Sequence, residues 1–141
     1  MIDVNLTQAY VDCHAFGPHL LVKGEAANVV NISSFAALRP GANMVAYASG
    51  KAGLSRFTES LALEWAPCKV RVTAVAPGTF PDAYVLSQAD LQKRNAELRD
   101  VPLNRVGHPR EVGLVTVFLA SGAASYITGQ TIAIDGGRPL L

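Results

Sequence analysis

The sequence predicts an α/β fold built on a parallel sheet, and three observations carry that expectation. Short, β-branched apolar runs recur along the 141 residues. Segments with helical spacing separate them, and each run stops at residues that favour a turn. The length suits a single domain, residues 1–141, with a core of its own.

Taken in order, residues 4–21 read as a first helix. Residues 27–32 (Ala-Asn-Val-Val-Asn-Ile) form a first strand that stops at Ser33-Ser34. Leu54, Phe57, Leu61 and Trp65 recur every three or four positions, which places them on one face of a helix expected from about residue 43 to Pro67. The run 70–76 is a second strand, ended by Pro77-Gly78. Residues 82–100 are polar, helical in part, and form a long excursion from the sheet. Pro109 suits the first turn of a further helix running through Val112, Val115 and Leu119. Residues 131–134 make a third strand, closed by Asp135-Gly136-Gly137.

Polar alternation is weak in all three strands, as in strands covered on both faces. Strands separated by helices imply right-handed crossovers between parallel neighbours. Ligands of such sheets bind beyond the carboxyl ends of the strands. Ser34 and Pro77-Gly78 both fall at such ends, which nominates a site before any chemistry is considered.

Composition narrows the partners. The formal net charge is +1, and the 12 Lys and Arg residues are scattered rather than clustered. That distribution carries no electrostatic footprint for nucleic acid or for an anionic membrane surface, and favours a small molecule or another protein. Cys13 and Cys68 do not make a disulfide framework and read as free thiols of a reducing compartment. No charged-then-apolar leader is visible, and the most apolar stretch, 112–120, is far too short to span a bilayer, so a soluble cytoplasmic protein is expected. Neither repeats nor low-complexity tracts interrupt the pattern. Cys13, His14 and His19 do not complete a four-ligand set, so no metal is expected. Ser34 lacks the Gly-x-Ser-x-Gly elbow of a serine hydrolase, and His108 reads as a loop residue at a helix start.

Chemistry enters with Tyr47 and Lys51, four apart on one helix and therefore on the same face. A cation beside a phenol stabilises the phenolate, so a tyrosine held this way can exchange a proton with a substrate. Ser34 closes the strand before that helix. Asn31-Ile32-Ser33-Ser34, then Ala46-Tyr47-Ala48-Ser49-Gly50-Lys51-Ala52-Gly53-Leu54, then Ser60-Leu61-Ala62-Leu63-Glu64, resemble the catalytic core of short-chain dehydrogenases/reductases. Val70-Arg71-Val72-Thr73-Ala74-Val75-Ala76-Pro77-Gly78 is similar to the family's following strand and turn. Ile127-Thr128-Gly129-Gln130-Thr131 with Asp135-Gly136-Gly137 is similar to its last strand. Asn5, in Val4-Asn5-Leu6, matches a fourth catalytic position.

The resemblance implies a partial Rossmann-like, doubly wound parallel sheet comprising the family's last three strands and their helices. It implies an oxidoreductase that reduces a carbonyl or oxidises a secondary alcohol with NAD or NADP, similar to reductases of 3-oxoacyl thioesters or to sugar and polyol dehydrogenases. Tyr47 would act as acid or base, Ser34 would hold the substrate oxygen, and Asn5 would position a proton-relaying water. Lys51 would favour the phenolate and bind the nicotinamide ribose. Tyr47, Lys51, Pro77, Gly78 and Thr79 would line the cofactor, and specificity would reside in residues 35–45 and 81–98.

Departures accompany the likeness. Thr73 stands where the family usually carries Asn, which removes a structural hydrogen bond. The run Thr79-Phe80-Pro81-Asp82 lacks a threonine that normally helps hold the nicotinamide amide. Gly50 and Gly53 each cost a helix interior about 1 kcal/mol, which suits a place where a backbone or ligand must come close. The glycine-rich phosphate loop and the adenosine site have no counterpart in this sequence. The first strand is therefore expected to present an open edge, and a homodimer or homotetramer would form through residues 4–21 with Phe57, Leu61 and Trp65. The alternative is a catalytically silent, truncated remnant that serves only as a dimerisation partner.

Overall fold

A computed structural model of the chain describes residues 1–22, 26–39, 41–80 and 98–138. Three strands, β1 (Ala27–Ile32), β2 (Val70–Pro77) and β3 (Thr131–Ile134), lie side by side in sequence order. Both pairings are parallel, β1 to β2 from Ala27↔Val70 to Ile32↔Val75 and β2 to β3 from Ala74↔Thr131 to Pro77↔Ile134. Helix α1 (Gln8–Val22) precedes the sheet, α2 (Val45–Trp65) lies between β1 and β2, and α3 (Pro109–Ala120) lies between β2 and β3. The α/β class expected from the sequence is the one observed.

Helices cover both faces of the sheet. On one face Leu61, Ala62 and Trp65 of α2 close over Val70 and Val72, with Leu20 and Leu21 of α1 and Val29 at the margin. On the other, Leu119 of α3 and Ala124 close over Val75, with Val30, Val112 and Val115 around them. The two sets follow from the strand's period of two, which sends 70 and 72 one way and 75 the other. Val70, Val72, Ala74, Val75 and Ala76 are each at most 1% exposed, which explains why the middle strand shows no polar alternation. Among the described residues β1 pairs on one side only, and Ile32 at its end is 47% exposed.

Leu61 and Trp65, expected at a self-association surface, are instead each 8% exposed and belong to the chain's own core. Phe57 is half-buried, edge-on to Tyr10 with ring centroids 6.1 Å apart. A helix that covers a sheet must spend its apolar stripe on that sheet. Among the large apolar side chains left outside are Tyr10, Val11, Phe16 and Val22 on α1, Val45 and Leu63 on α2, and Leu114, Val117 and Phe118 on α3.

Element boundaries differ from expectation where the backbone departs from helical angles. α2 begins at Val45, because Asn43 adopts a left-handed conformation (φ 61°) that no helix continues through. It ends at Trp65 in a 3₁₀ turn, Ala66–Cys68, that contains Pro67, and left-handed Lys69 turns the chain into β2. The first helix opens with a π-helical turn, Asp3–Thr7, which a search for 3.6-residue spacing does not see. Of the polar excursion only the 3₁₀ turn Leu98–Asp100 is described; residues 81–97 lie outside the described residues. Thr73 buries a hydroxyl with no partner among the described residues, in keeping with the missing structural hydrogen bond.

His108 is the N-cap of α3, its Nδ1 accepting from the Arg110 amide at 3.2 Å. Glu111 reaches back to the His108 amide (2.7 Å) and takes two hydrogen bonds from Arg105, at 2.7 and 2.9 Å. These contacts, Arg105 first, hold the Glu111 carboxyl down to about 2 from the ordinary 4.5. A depressed carboxyl stabilises the fold above its ordinary value, and that contribution is lost as pH falls from 4.5 toward about 2. Glu111→Gln should therefore lower the melting temperature at neutral pH, by an amount that shrinks across that window in paired thermal melts. A difference that stays constant down to the lower limit would contradict it.

Candidate functional site

The carboxyl end of β1 runs into Ser33 and Ser34, both buried. Ser34 keeps extended backbone angles, and its Oγ accepts from the Ala36 amide at 3.2 Å, capping the 3₁₀ turn Phe35–Ala37. That contact uses a lone pair on Oγ and leaves the hydroxyl proton free to donate elsewhere.

Polar side chains pin α2 along this strand. Asn31 Nδ2 donates to Thr58 Oγ1 at 2.9 Å, and Thr58 Oγ1 in turn donates to the Leu54 carbonyl. Ser33 Oγ donates to the Lys51 carbonyl at 3.1 Å and shares a hydrogen bond of 2.9 Å with Ser55 Oγ. Lys51 Nζ crosses back to the Ile32 carbonyl at 2.6 Å. The helix is thus held at three successive levels, and Lys51 is fixed at the strand's carboxyl end. Burial pushes its ammonium below the usual lysine range. Only one of its three donors is used there.

Tyr47 stands one turn before Lys51 on the same helix and is half-buried. Asn5 reaches the same region from the π-helical turn. A Cβ added at Gly50 would lie 3.2 Å from the Asn5 Cβ, and one at Gly53 would lie 2.8 Å from Leu6 Cδ2. The two glycines therefore receive the N-terminal turn rather than a ligand, which settles what their cost to the helix permits. Ser34 and Lys51 meet at the end of β1, Tyr47 stands one turn earlier on α2 and Asn5 packs against Gly50, and no hydrogen bond joins one of the four to another. Asn5 Nδ2 donates to the Met1 carbonyl at 2.8 Å, and the Ser34 and Lys51 side chains hold the backbone contacts given above.

Pro77, Gly78 and Thr79 leave the end of β2 beside this group. The Gly78 amide donates to the Ile134 carbonyl at 2.9 Å, and the Thr79 carbonyl accepts from the Gly107 amide at 3.0 Å. A cavity of about 500 Å³ opens on the β3 side, lined by Thr79, Phe80, Leu103, Arg105 and Asp135 among others. None of the four lines it; Ser34 and Lys51 lie at the β1 end instead. Among the described residues, no group of three His, Cys, Asp or Glu side chains is arranged to hold a metal.

The positioning residues Asn31, Ser33, Ser55 and Thr58 escape a search aimed at reactive groups. Their signal was nonetheless present. Two polar residues interrupt an apolar strand, and positions 51, 55 and 58 share one helical face.

Comparison with known proteins identifies relatives of this fold. A family model described as enoyl-(acyl carrier protein) reductase matches residues 1–138. The 3beta-hydroxysteroid dehydrogenase 1 of Eggerthella lenta is 38% identical over 141 residues, covering 99% of this chain and 54% of the relative. Among solved structures, a candidate 2-deoxy-D-gluconate 3-dehydrogenase from Agrobacterium tumefaciens with bound NADP superposes with a TM-score of 0.91 at 35% identity, over 99% of this chain and 57% of that one. The 3-ketoacyl-(acyl-carrier-protein) reductase of Brucella melitensis, complexed with NADH, gives a TM-score of 0.88 at 29% identity, over 99% of this chain and 56% of that one. The chain spans about half the length of the curated relatives it matches. Fold, residue pattern and match agree: the chain belongs to the short-chain dehydrogenase/reductase family.

Proposed function

We propose that residues 1–141 form one catalytic unit of an NAD(P)-dependent oxidoreductase, which reduces a carbonyl or oxidises a secondary alcohol. The observation that carries this reading is the pinning of α2 to β1, which fixes Lys51 and the turn bearing Tyr47 over the strand end where Ser34 emerges. Substrates of the 3-oxoacyl or sugar and polyol type fit the relatives named above, and a cytoplasmic location fits their chemistry.

The donor set suits the nicotinamide end of such a cofactor. Lys51 keeps two donors for ribose hydroxyls after its contact with Ile32. The adenosine end has no glycine-rich loop in this chain to receive it. A bound nicotinamide would supply or accept the hydride. Ser34 would donate its free hydroxyl proton to the substrate oxygen and hold that oxygen within reach of Tyr47. In the reducing direction Tyr47 would release its proton to that oxygen; in the oxidising direction it would take the alcohol proton. The fixed positive charge of Lys51 would favour the phenolate that this leaves. Asn5, packed against Gly50 beside Lys51, would position a relaying water.

Self-association would use the apolar residues exposed on α1, with Leu63 of α2, rather than Leu61 and Trp65. A second reading rests on the apolar residues exposed on α1 and α2: a silent remnant that only dimerises. Loss of NADH or NADPH absorbance in the presence of ketone substrates separates the two, since a remnant leaves both cofactors unchanged.

A further inference from the structure

Arg138 occupies a place that the reaction does not explain. Gly136 and Gly137 take consecutive positive φ values (67° and 87°), a conformation only glycine adopts cheaply, and swing the chain back over the strand ends. The Gly137 amide is fixed by Asp135 Oδ1 at 2.9 Å. From there the Arg138 guanidinium donates to Thr79 Oγ1 at 2.6 Å and lies over the Phe35 ring, 4.5 Å from its centroid. Phe35 directly follows Ser34, and Thr79 directly follows Gly78. One side chain therefore spans the carboxyl ends of all three strands, next to the residues assigned to substrate oxygen and nicotinamide.

Its chemistry is incomplete as it stands. A guanidinium has five donors in a planar fork, and one of them serves Thr79. No carboxylate among the described residues pairs with it; the ion pairs there are Arg56–Glu59 and Arg105–Glu111. Stacking on Phe35 and the bond to Thr79 fix the plane, so the remaining edge is held ready at little entropic cost. A fixed, half-buried guanidinium edge suits a planar or tetrahedral oxyanion held by two hydrogen bonds.

We propose that Arg138 binds an anionic group, a carboxylate or a phosphate, on the substrate, so that the carbonyl compound taken by this site is an acid or a phosphate-bearing ester. The proposal rests on the oxidoreductase reading for which ligand comes there, but anion binding itself can be measured without turnover.

The test is a titration of the ¹⁵N-labelled chain, in low-salt buffer, with acetoacetate, inorganic phosphate and neutral 2-butanone. Acetoacetate or phosphate should shift the amides of Phe35, Thr79 and Arg138 to saturation in the millimolar range, and 2-butanone should not. Tighter acetoacetate binding assigns a carboxylate, and tighter phosphate binding assigns a phosphate ester. Arg138→Gln should weaken the preferred anion roughly tenfold or more, the loss of one charge-assisted contact. Arg138→Lys should retain part of the affinity, a rescue that a purely structural arginine would not show. Unchanged binding in Arg138→Gln, equal shifts with 2-butanone, or no saturable shift at these amides overturns the proposal. Should the Gln variant fail to fold, the Lys variant and the neutral ketone still decide it. Anion binding without turnover keeps Arg138 and removes the hydride-transfer reading; turnover without anion binding does the reverse.

Discussion

Tyr47→Phe is expected to lower turnover by roughly 10²–10⁴-fold, the usual contribution of a positioned proton donor. Stability should hardly change, because the Tyr47 hydroxyl makes no hydrogen bond to a described residue and the ring keeps its half-buried contacts. The measurement is NADPH consumption with a ketone substrate, alongside a urea unfolding curve. The two readouts together matter: a fall in activity with an unchanged unfolding midpoint assigns the hydroxyl to chemistry. If Tyr47→Phe retains most of the wild-type rate, the proton comes from another group and the role given to Tyr47 is wrong.

Trp65→Ala should have the largest effect on stability. The indole packs against Gly17 of α1, whose added Cβ would lie 3.0 Å from Trp65 Cζ2, and shares a core with Leu61, Val70 and Val72. Removing a buried aromatic of this size costs about 3–5 kcal/mol, out of about 5–15 kcal/mol for a whole domain. Urea unfolding should therefore show a large loss, or no cooperative transition at all. The same variant distinguishes a core tryptophan from an interfacial one. At an interface, sizing chromatography would show dissociation while the unfolding free energy of the separated chains fell by less than about 1 kcal/mol. That second pattern would return Trp65 to the self-association surface. Wild-type chain eluting as a monomer at high concentration would remove the association proposed for α1 and Leu63.

How much of this was legible depended on which physical rule was local. β2 could be read directly, because a central parallel strand must be apolar on both faces and its sequence is. α2 could be read from the spacing of Leu54, Phe57, Leu61 and Trp65. Spacing identifies a face without naming what lies against it, so it does not distinguish Leu61 and Trp65, which turn inward, from residues that face a partner. Tyr47 and Lys51 were visible because a pair four apart shares a helix face whatever the tertiary structure does. Their support was harder to see. Asn31 to Thr58 and Ser33 to Ser55 are contacts across 27 and 22 positions, and only the register of strand and helix brings them together. The π-helical turn at Asp3–Thr7 and the reach of Arg138 to Phe35 were likewise invisible, being consequences of backbone angles and long-range packing. Gly50 and Gly53 announced a close approach but not by what; the answer is the turn that carries Asn5.

Titrating the purified chain with NADH and NADPH, following nicotinamide fluorescence, tests the site at the end of β1 most directly. Saturable binding below millimolar cofactor is expected, weakened by Lys51→Met because the ammonium proposed to meet the ribose hydroxyls is gone. Absence of saturation up to millimolar concentrations of both cofactors would contradict it, leaving Ser34, Tyr47 and Lys51 as an arrangement without a cofactor to serve in this chain.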